Sequence, residues 1–112
     1  MTKLQTKAEQ RLIQDYFDDL IKACDRKVSD DGIVRIRKAF EFANNAHAGV
    51  KRKSGEPYII HPLAVAKIVI EEIGLSATSI ISALLHDVVE DTDYNLEDIS
   101  NLFGEKVASI VD

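Results

Sequence analysis

The sequence predicts an all-α fold, a bundle of about six helices, and three observations carry that expectation. The 112 residues include only 2 prolines and 5 glycines, so turns and breaks are few. Apolar residues recur at helical spacing through most of the chain. A hydrophobic content of 46% with 29% charged residues describes a soluble globular chain. This length suffices for one small domain with a modest core and falls short of two.

The elements follow in order. From about Lys7 to Arg26, the residues Leu12, Ile13, Tyr16, Phe17, Leu20, Ile21 and Cys24 form one amphipathic stripe. The run DRKVSDDG breaks it. A second helix starts near Asp30 or Asp31, which supply caps and favourable first-turn charge, and ends near Gly49. Its stripe includes Ile33, Ile36, Phe40 and Ala43. The segment GVKRKSGEPYII, Gly49 to Ile60, is irregular and holds the turn formers Ser54-Gly55 and an X-Pro step. His61-Pro62 opens a third helix, because proline suits the first helical position, and Gly74 stops it. Ser76 or Thr78 caps a fourth helix reaching about Glu90 or Thr92. Asn95 starts a short fifth helix ending at Gly104, and Val107, Ile110 and Val111 mark a sixth. That pattern is cut off at Asp112, as expected of a bundle incomplete at its C-terminus.

Charge is divided unevenly. Met1 to Lys67 carries 13 Lys/Arg and 9 Asp/Glu, whereas Ile68 to Asp112 carries 10 acids and one base, Lys106. The acidic half is ill suited to bind a polyanion directly and suited to bind a cation; charge alone does not separate that from a solvated acidic surface. No apolar run approaches a membrane span, and the N-terminus MTKLQTKAEQ lacks the apolar core of a signal peptide. The single cysteine, Cys24, excludes an internal disulfide and fits a reducing compartment, so the expected location is the cytoplasm.

The fourth helix carries the chemistry. On a wheel of about 100° per residue, His86, Glu90, Asp87 and Asp91 fall within one wedge of roughly 140°. Ala77, Ile81, Leu84, Leu85, Val88 and Val89 cover the opposite side. Ser79 and Ala83 are small and leave space beside His86. One imidazole and three carboxylates beside a gap can hold a divalent metal and a water. His61 lies at the mouth of the preceding helix, and the basic triplet Lys51-Arg52-Lys53 lies within ten residues of it, a reasonable cradle for phosphates. His47 extends the stripe of the second helix and reads as a packed structural residue, as does Tyr58.

Two segments, AHAGVKRKSGEPYIIHP (Ala46–Pro62) and ALLHDVVEDTDY (Ala83–Tyr94), resemble the hydrolase domain of RelA/SpoT-homologue proteins, a group of HD-domain phosphohydrolases. The resemblance implies that residues 1–112 are the N-terminal part of an HD-type (p)ppGpp hydrolase domain, recognisable from about residue 30 onward. It implies hydrolysis of the 3′-pyrophosphate of (p)ppGpp to GDP or GTP and pyrophosphate. The parent would then be a stringent-response enzyme, a bifunctional synthetase/hydrolase with synthetase and regulatory domains downstream. Carried over by motif, His61, His86 and Asp87 are metal ligands, Glu90 and Asp91 position and activate water, and Arg52, Lys53 and Ser54 hold the nucleotide. The family typically uses Mn2+, and this donor set also accepts iron, cobalt or zinc. The partner is a guanosine tetra- or pentaphosphate, with no nucleic acid or membrane; a homo-oligomer stays open.

The family's fourth ligand is an Asp in an ADRLHN-like motif, which this chain lacks; Asp112 corresponds to a VDG-like segment before it. The expectation is therefore that the 112-residue chain alone binds metal weakly and hydrolyses little. The competing expectations are another HD-type nucleotide phosphohydrolase and a catalytically silent HD domain that regulates or dimerises its parent.

Overall fold

The structure, a computed structural model, describes residues 6–25, 27–48, 50–73 and 76–111. Six α-helices occur among them: α1 (Lys7–Cys24), α2 (Asp30–Ala46), α3 (Ile60–Ile68), α4 (Ala77–Asp91), α5 (Leu96–Phe103) and α6 (Glu105–Val111). A π-helical turn, Val69–Ile73, extends α3. Gly74, expected to stop that helix, lies outside the described residues. No helix among the described residues is long and apolar enough to cross a membrane.

The first helix is fixed by a reciprocal cap. The Thr6 hydroxyl accepts from the Glu9 N–H at 3.0 Å, and the Thr6 N–H donates to Glu9 Oε1 at 2.9 Å. The helix ends two residues earlier than its stripe suggests, because Asp25 turns to an extended ψ of 131°. Only Ile13, Phe17, Leu20 and Cys24 of the stripe are buried; Leu12 and Tyr16 stay exposed. The buried set repeats at i, i+4, i+7 and i+11, a narrower face than the sequence pattern implied, and only that face meets α2 and α3. Phe17 stacks on Phe40 of α2 with ring centroids 4.2 Å apart.

The second helix is capped by Ser29, whose hydroxyl accepts from the Gly32 N–H at 3.1 Å. Asp30 and Asp31 therefore sit in the first turn, where their charge favours the helix N-terminus, and do not cap it. Gly32 permits a close approach: a Cβ there would lie 2.5 Å from Val28 Cγ1 and 3.1 Å from the Ala77 Cβ at the start of α4. The helix ends at Ala46 with His47 as its C-cap, three residues before Gly49.

Residues 50–58 form a small hairpin where an irregular loop was expected. Lys51 pairs with Pro57 as an isolated antiparallel bridge. The Tyr58 N–H donates to Val50 O, and the Arg52 N–H to Glu56 O, both at 2.9 Å. Gly55 turns the hairpin at φ +96°, a conformation that glycine adopts without strain. The third helix begins at Ile60, one residue before His61, and Pro62 sits in the first turn, where a backbone N–H would have no helical partner.

The fourth helix is the centre of the bundle. It packs against α2, α3 and α6, and buries Ile80, Ile81, Leu84, Leu85 and Val88. Its cap is Ser76, without a side-chain bond. The fifth helix carries a second reciprocal cap between Asn95 and Asp98, and Gly104 ends it at φ +99°.

Because Phe17 is fully buried and Leu12 is 40% exposed, the two ends of the α1 stripe differ in worth. Phe17→Ala is expected to cost about 3–5 kcal/mol, and Leu12→Ala about 0.5 kcal/mol or less. Urea denaturation at equilibrium measures both.

Candidate metal centre and anion cleft

The helix that forms the core on one side presents its polar residues on the other. His86, Asp87 and Glu90 each offer a ligand atom, and these atoms all lie within 4.8 Å of one another. Two donors on opposite sides of an ion at bonds of about 2.1 Å stand about 4.2 Å apart, so this triad fits one ion after small side-chain movements. Imidazole plus carboxylate suits first-row divalent metals. His86 Nδ1 stands 3.3 Å from Asp87 Oδ1, and the Tyr58 hydroxyl donates to Asp87 Oδ2 at 2.9 Å.

Two clefts open on this face and share one wall. The first, about 510 Å³, is lined by His61, Pro62, Val65, Val69, Ser79, Ser82, Ala83, His86, Asp87 and Ile110. Ser79 and Ala83 thus leave the gap beside His86 that their size suggested. The second, about 710 Å³, is lined by Val50, Lys51, Arg52, Lys53, Ser54, Tyr58, His61 and Asp91. His61 lines both. It stands outside the tight His86–Asp87–Glu90 group. The pair Glu90 and Asp91 diverges: Glu90 joins the donor cluster, while Asp91 faces the basic cleft.

The basic triplet is not uniform. Lys51 Nζ pairs with Glu9 Oε2 of α1 at 3.1 Å, and the Thr6 N–H together with Lys51 holds the Glu9 carboxyl below its ordinary pKa. Arg52 Nε stands 3.8 Å from Glu56 Oε1, and the Ser54 hydroxyl donates to the same oxygen at 3.1 Å. Lys53 makes no ion pair among the described residues and projects into the cleft wall.

His47 is packed, as its place in the α2 stripe indicated. It is 2% exposed, and neither ring nitrogen has a hydrogen-bond partner among the described residues. Its ring lies 4.8 Å from that of Tyr58. Tyr58 is more than the packing residue it resembled in sequence, because its hydroxyl reaches Asp87, 29 positions away. Nothing in local periodicity signals that bond. Burial, then the bond to Asp87, pushes the Tyr58 phenol up and keeps it protonated.

Burial holds the His47 pKa below the ordinary value, against the opposing charges of Asp91 and Asp87. The unfolded chain therefore takes up this proton more readily than the folded one. The stability is fully present above about pH 6.5 and falls as the pH drops below it toward the folded value. Thermal melts are expected to show a lower Tm at about pH 5 than at about pH 7. His47→Phe, which keeps a ring against Tyr58, is expected to flatten that slope; an unchanged slope assigns the acid sensitivity to other groups.

A family model described as HD domain matches residues 39–112. The chain is 53% identical over 77 residues to a guanosine-3′,5′-bis(diphosphate) 3′-pyrophosphohydrolase of Aquifex aeolicus (strain VF5), covering 69% of this chain and 11% of that protein. It is 44% identical over 96 residues to the bifunctional (p)ppGpp synthase/hydrolase SpoT of Escherichia coli (strain K12), covering 86% of this chain and 14% of that protein. It is 52% identical over 77 residues to a probable GTP pyrophosphokinase of Mycobacterium leprae (strain TN), covering 69% of this chain and 10% of that protein. The chain thus spans between 10% and 14% of the length of these relatives. With an all-α bundle and a His-Asp pair on its central helix, the chain belongs to the HD-domain family, in its RelA/SpoT branch.

Proposed function

We propose that this chain is part of a metal-dependent (p)ppGpp 3′-pyrophosphohydrolase domain within a longer, bifunctional synthetase/hydrolase. The observation that carries the proposal is the shared wall: His61 lines both the cleft beside His86 and Asp87 and the cleft beside Arg52, Lys53 and Ser54. A cation site and an anion site meet there, as a phosphorylated substrate requires. The names of the relatives supply the substrate class.

His86 and Asp87 would hold the metal, with His61 of α3 as the third ligand. Mn2+ is the proposed ion. When bound, it polarises a phosphoryl oxygen and lowers the pKa of a coordinated water. Glu90, one turn beyond His86, takes the proton of the attacking water as general base. Asp91, on the basic-cleft side, orients that water with respect to the phosphate. Arg52 forks onto phosphate or stacks on the base, Lys53 supplies a mobile positive charge, and Ser54 donates from its hydroxyl. The walls of Val65, Val69 and Ile110 line the cleft with apolar surface, which strengthens the electrostatics within it.

The test uses the longer protein that contains this chain, with ppGpp as substrate, Mn2+ present and pyrophosphate release as readout. Turnover is expected, and a Mn2+-loaded protein without turnover supports the silent-domain alternative. Glu90→Gln is expected to lower kcat by about 10²-fold or more while Mn2+ stays bound. Because Glu90 lies within ligand reach of His86 and Asp87, loss of the metal in that variant reassigns Glu90 as a ligand. Arg52→Ala is expected to raise KM for ppGpp by about tenfold with a smaller change in kcat.

A further inference from the structure

Tyr58 joins the basic hairpin to the acidic face of α4. Its N–H donates to Val50 O at 2.9 Å and closes the base of the hairpin. Its hydroxyl donates to Asp87 Oδ2, also at 2.9 Å. The ring between these two bonds has two ring neighbours. His47 lies against it at a centroid distance of 4.8 Å and an interplanar angle of 34°, and His61 meets it edge-on at 6.4 Å. His47 is buried and cannot swing away without opening the core, so the position of the phenol oxygen is set by packing.

The consequence falls on Asp87. One of its oxygens accepts from Tyr58, and the other stands 3.3 Å from His86 Nδ1. A carboxylate anchored in this way has its rotamer chosen before any cation arrives. Hydrogen bonds from outside the ligand set orient the ligands and raise metal affinity, because less side-chain freedom is lost on binding.

Resting on the proposed role of Asp87 as a ligand, we infer that Tyr58 is a positioning residue for the metal site. It holds Asp87 Oδ2, so that Oδ1 faces the ion together with His86, and it ties the orientation of Asp87 to the hairpin that carries Arg52 and Lys53.

The test is a Mn2+ titration of the longer protein that contains this chain, followed by the electron paramagnetic resonance signal of the free ion. Tyr58→Phe keeps the ring against His47 and removes only the hydroxyl. It is expected to weaken Mn2+ binding about tenfold. In an Asp87→Asn background the same substitution is expected to change affinity by less than about twofold, since its effect runs through Asp87. Metal-free thermal melts of each variant separate affinity from folding. Unchanged affinity in Tyr58→Phe overturns the inference, and so does an equal loss in both backgrounds, which would mark a merely structural role. A wild-type longer protein that takes up no Mn2+ overturns the ligand assignment of Asp87 first, and the inference with it.

Discussion

Electrostatic conflict at the end of α4 governs the site. Asp87 and Glu90 are three residues apart, and Asp87 and Asp91 four, so each pair repels across one helical turn. The conflict is deepened by the backbone. The C-terminus of a helix carries partial negative charge and favours cations, yet the last turn of α4 contains no basic residue. Both effects disfavour an acidic cluster in this place and both favour a cation beside it. A divalent ion among His86, Asp87 and Glu90 offsets the side-chain repulsion and complements the helix dipole at once. The surrounding structure keeps such a helix folded and sets a basic hairpin beside it.

What keeps it folded is the opposite face. Ile80, Ile81, Leu84, Leu85 and Val88 are buried to completion between α2, α3 and α6. Burial of each such side chain contributes about 1.5–3 kcal/mol, against a few tenths for each repulsive pair. The helix can therefore hold its carboxylates in fixed directions although they repel. A loop with the same four residues would spread them apart and lose the shared geometry. Gly32, without a side chain, lets the start of α2 lie close both to Val28 and to Ala77 of α4.

Much of this was legible in the sequence, for a physical reason: helical periodicity places residues on faces without knowledge of the tertiary fold. The polar wedge of α4 and the gap at Ser79 and Ala83 follow from 3.6 residues per turn alone. The face of α1 was overestimated, since Leu12 and Tyr16 satisfy the period but no partner helix lies over them. The cap of α2 was misplaced by one or two residues because Ser29, Asp30 and Asp31 are all capping types, and only backbone geometry distinguishes them. Bonds between distant residues were not legible. Tyr58 to Asp87 and Lys51 to Glu9 join elements with no shared pattern, and the sequence holds no signal for them. The divergence of Glu90 from Asp91 lies between these cases: the wheel separates them by about 100°, but only the placement of the hairpin shows what Asp91 faces.

The basic hairpin answers the acidic helix with fewer charges than its sequence suggests. Lys51 pairs with Glu9 of α1 at 3.1 Å, a closer counterion than Arg52 or Lys53 has among the described residues. Arg52 is near Glu56, but at 3.8 Å with both side chains more than 40% exposed, and an exposed pair of this kind contributes about 0–1 kcal/mol. A phosphate accepting two parallel bonds from the guanidinium outcompetes that contact readily. Ser54, now donating to Glu56, can turn to the same phosphate once the carboxylate moves. The Glu56 carboxylate is thus a weak counterion shared by Arg52 and Ser54. The Lys51–Glu9 pair, with Lys51 half exposed, is a weak tie to α1, and the Tyr58 hydroxyl bond to Asp87 marks where the hairpin meets α4.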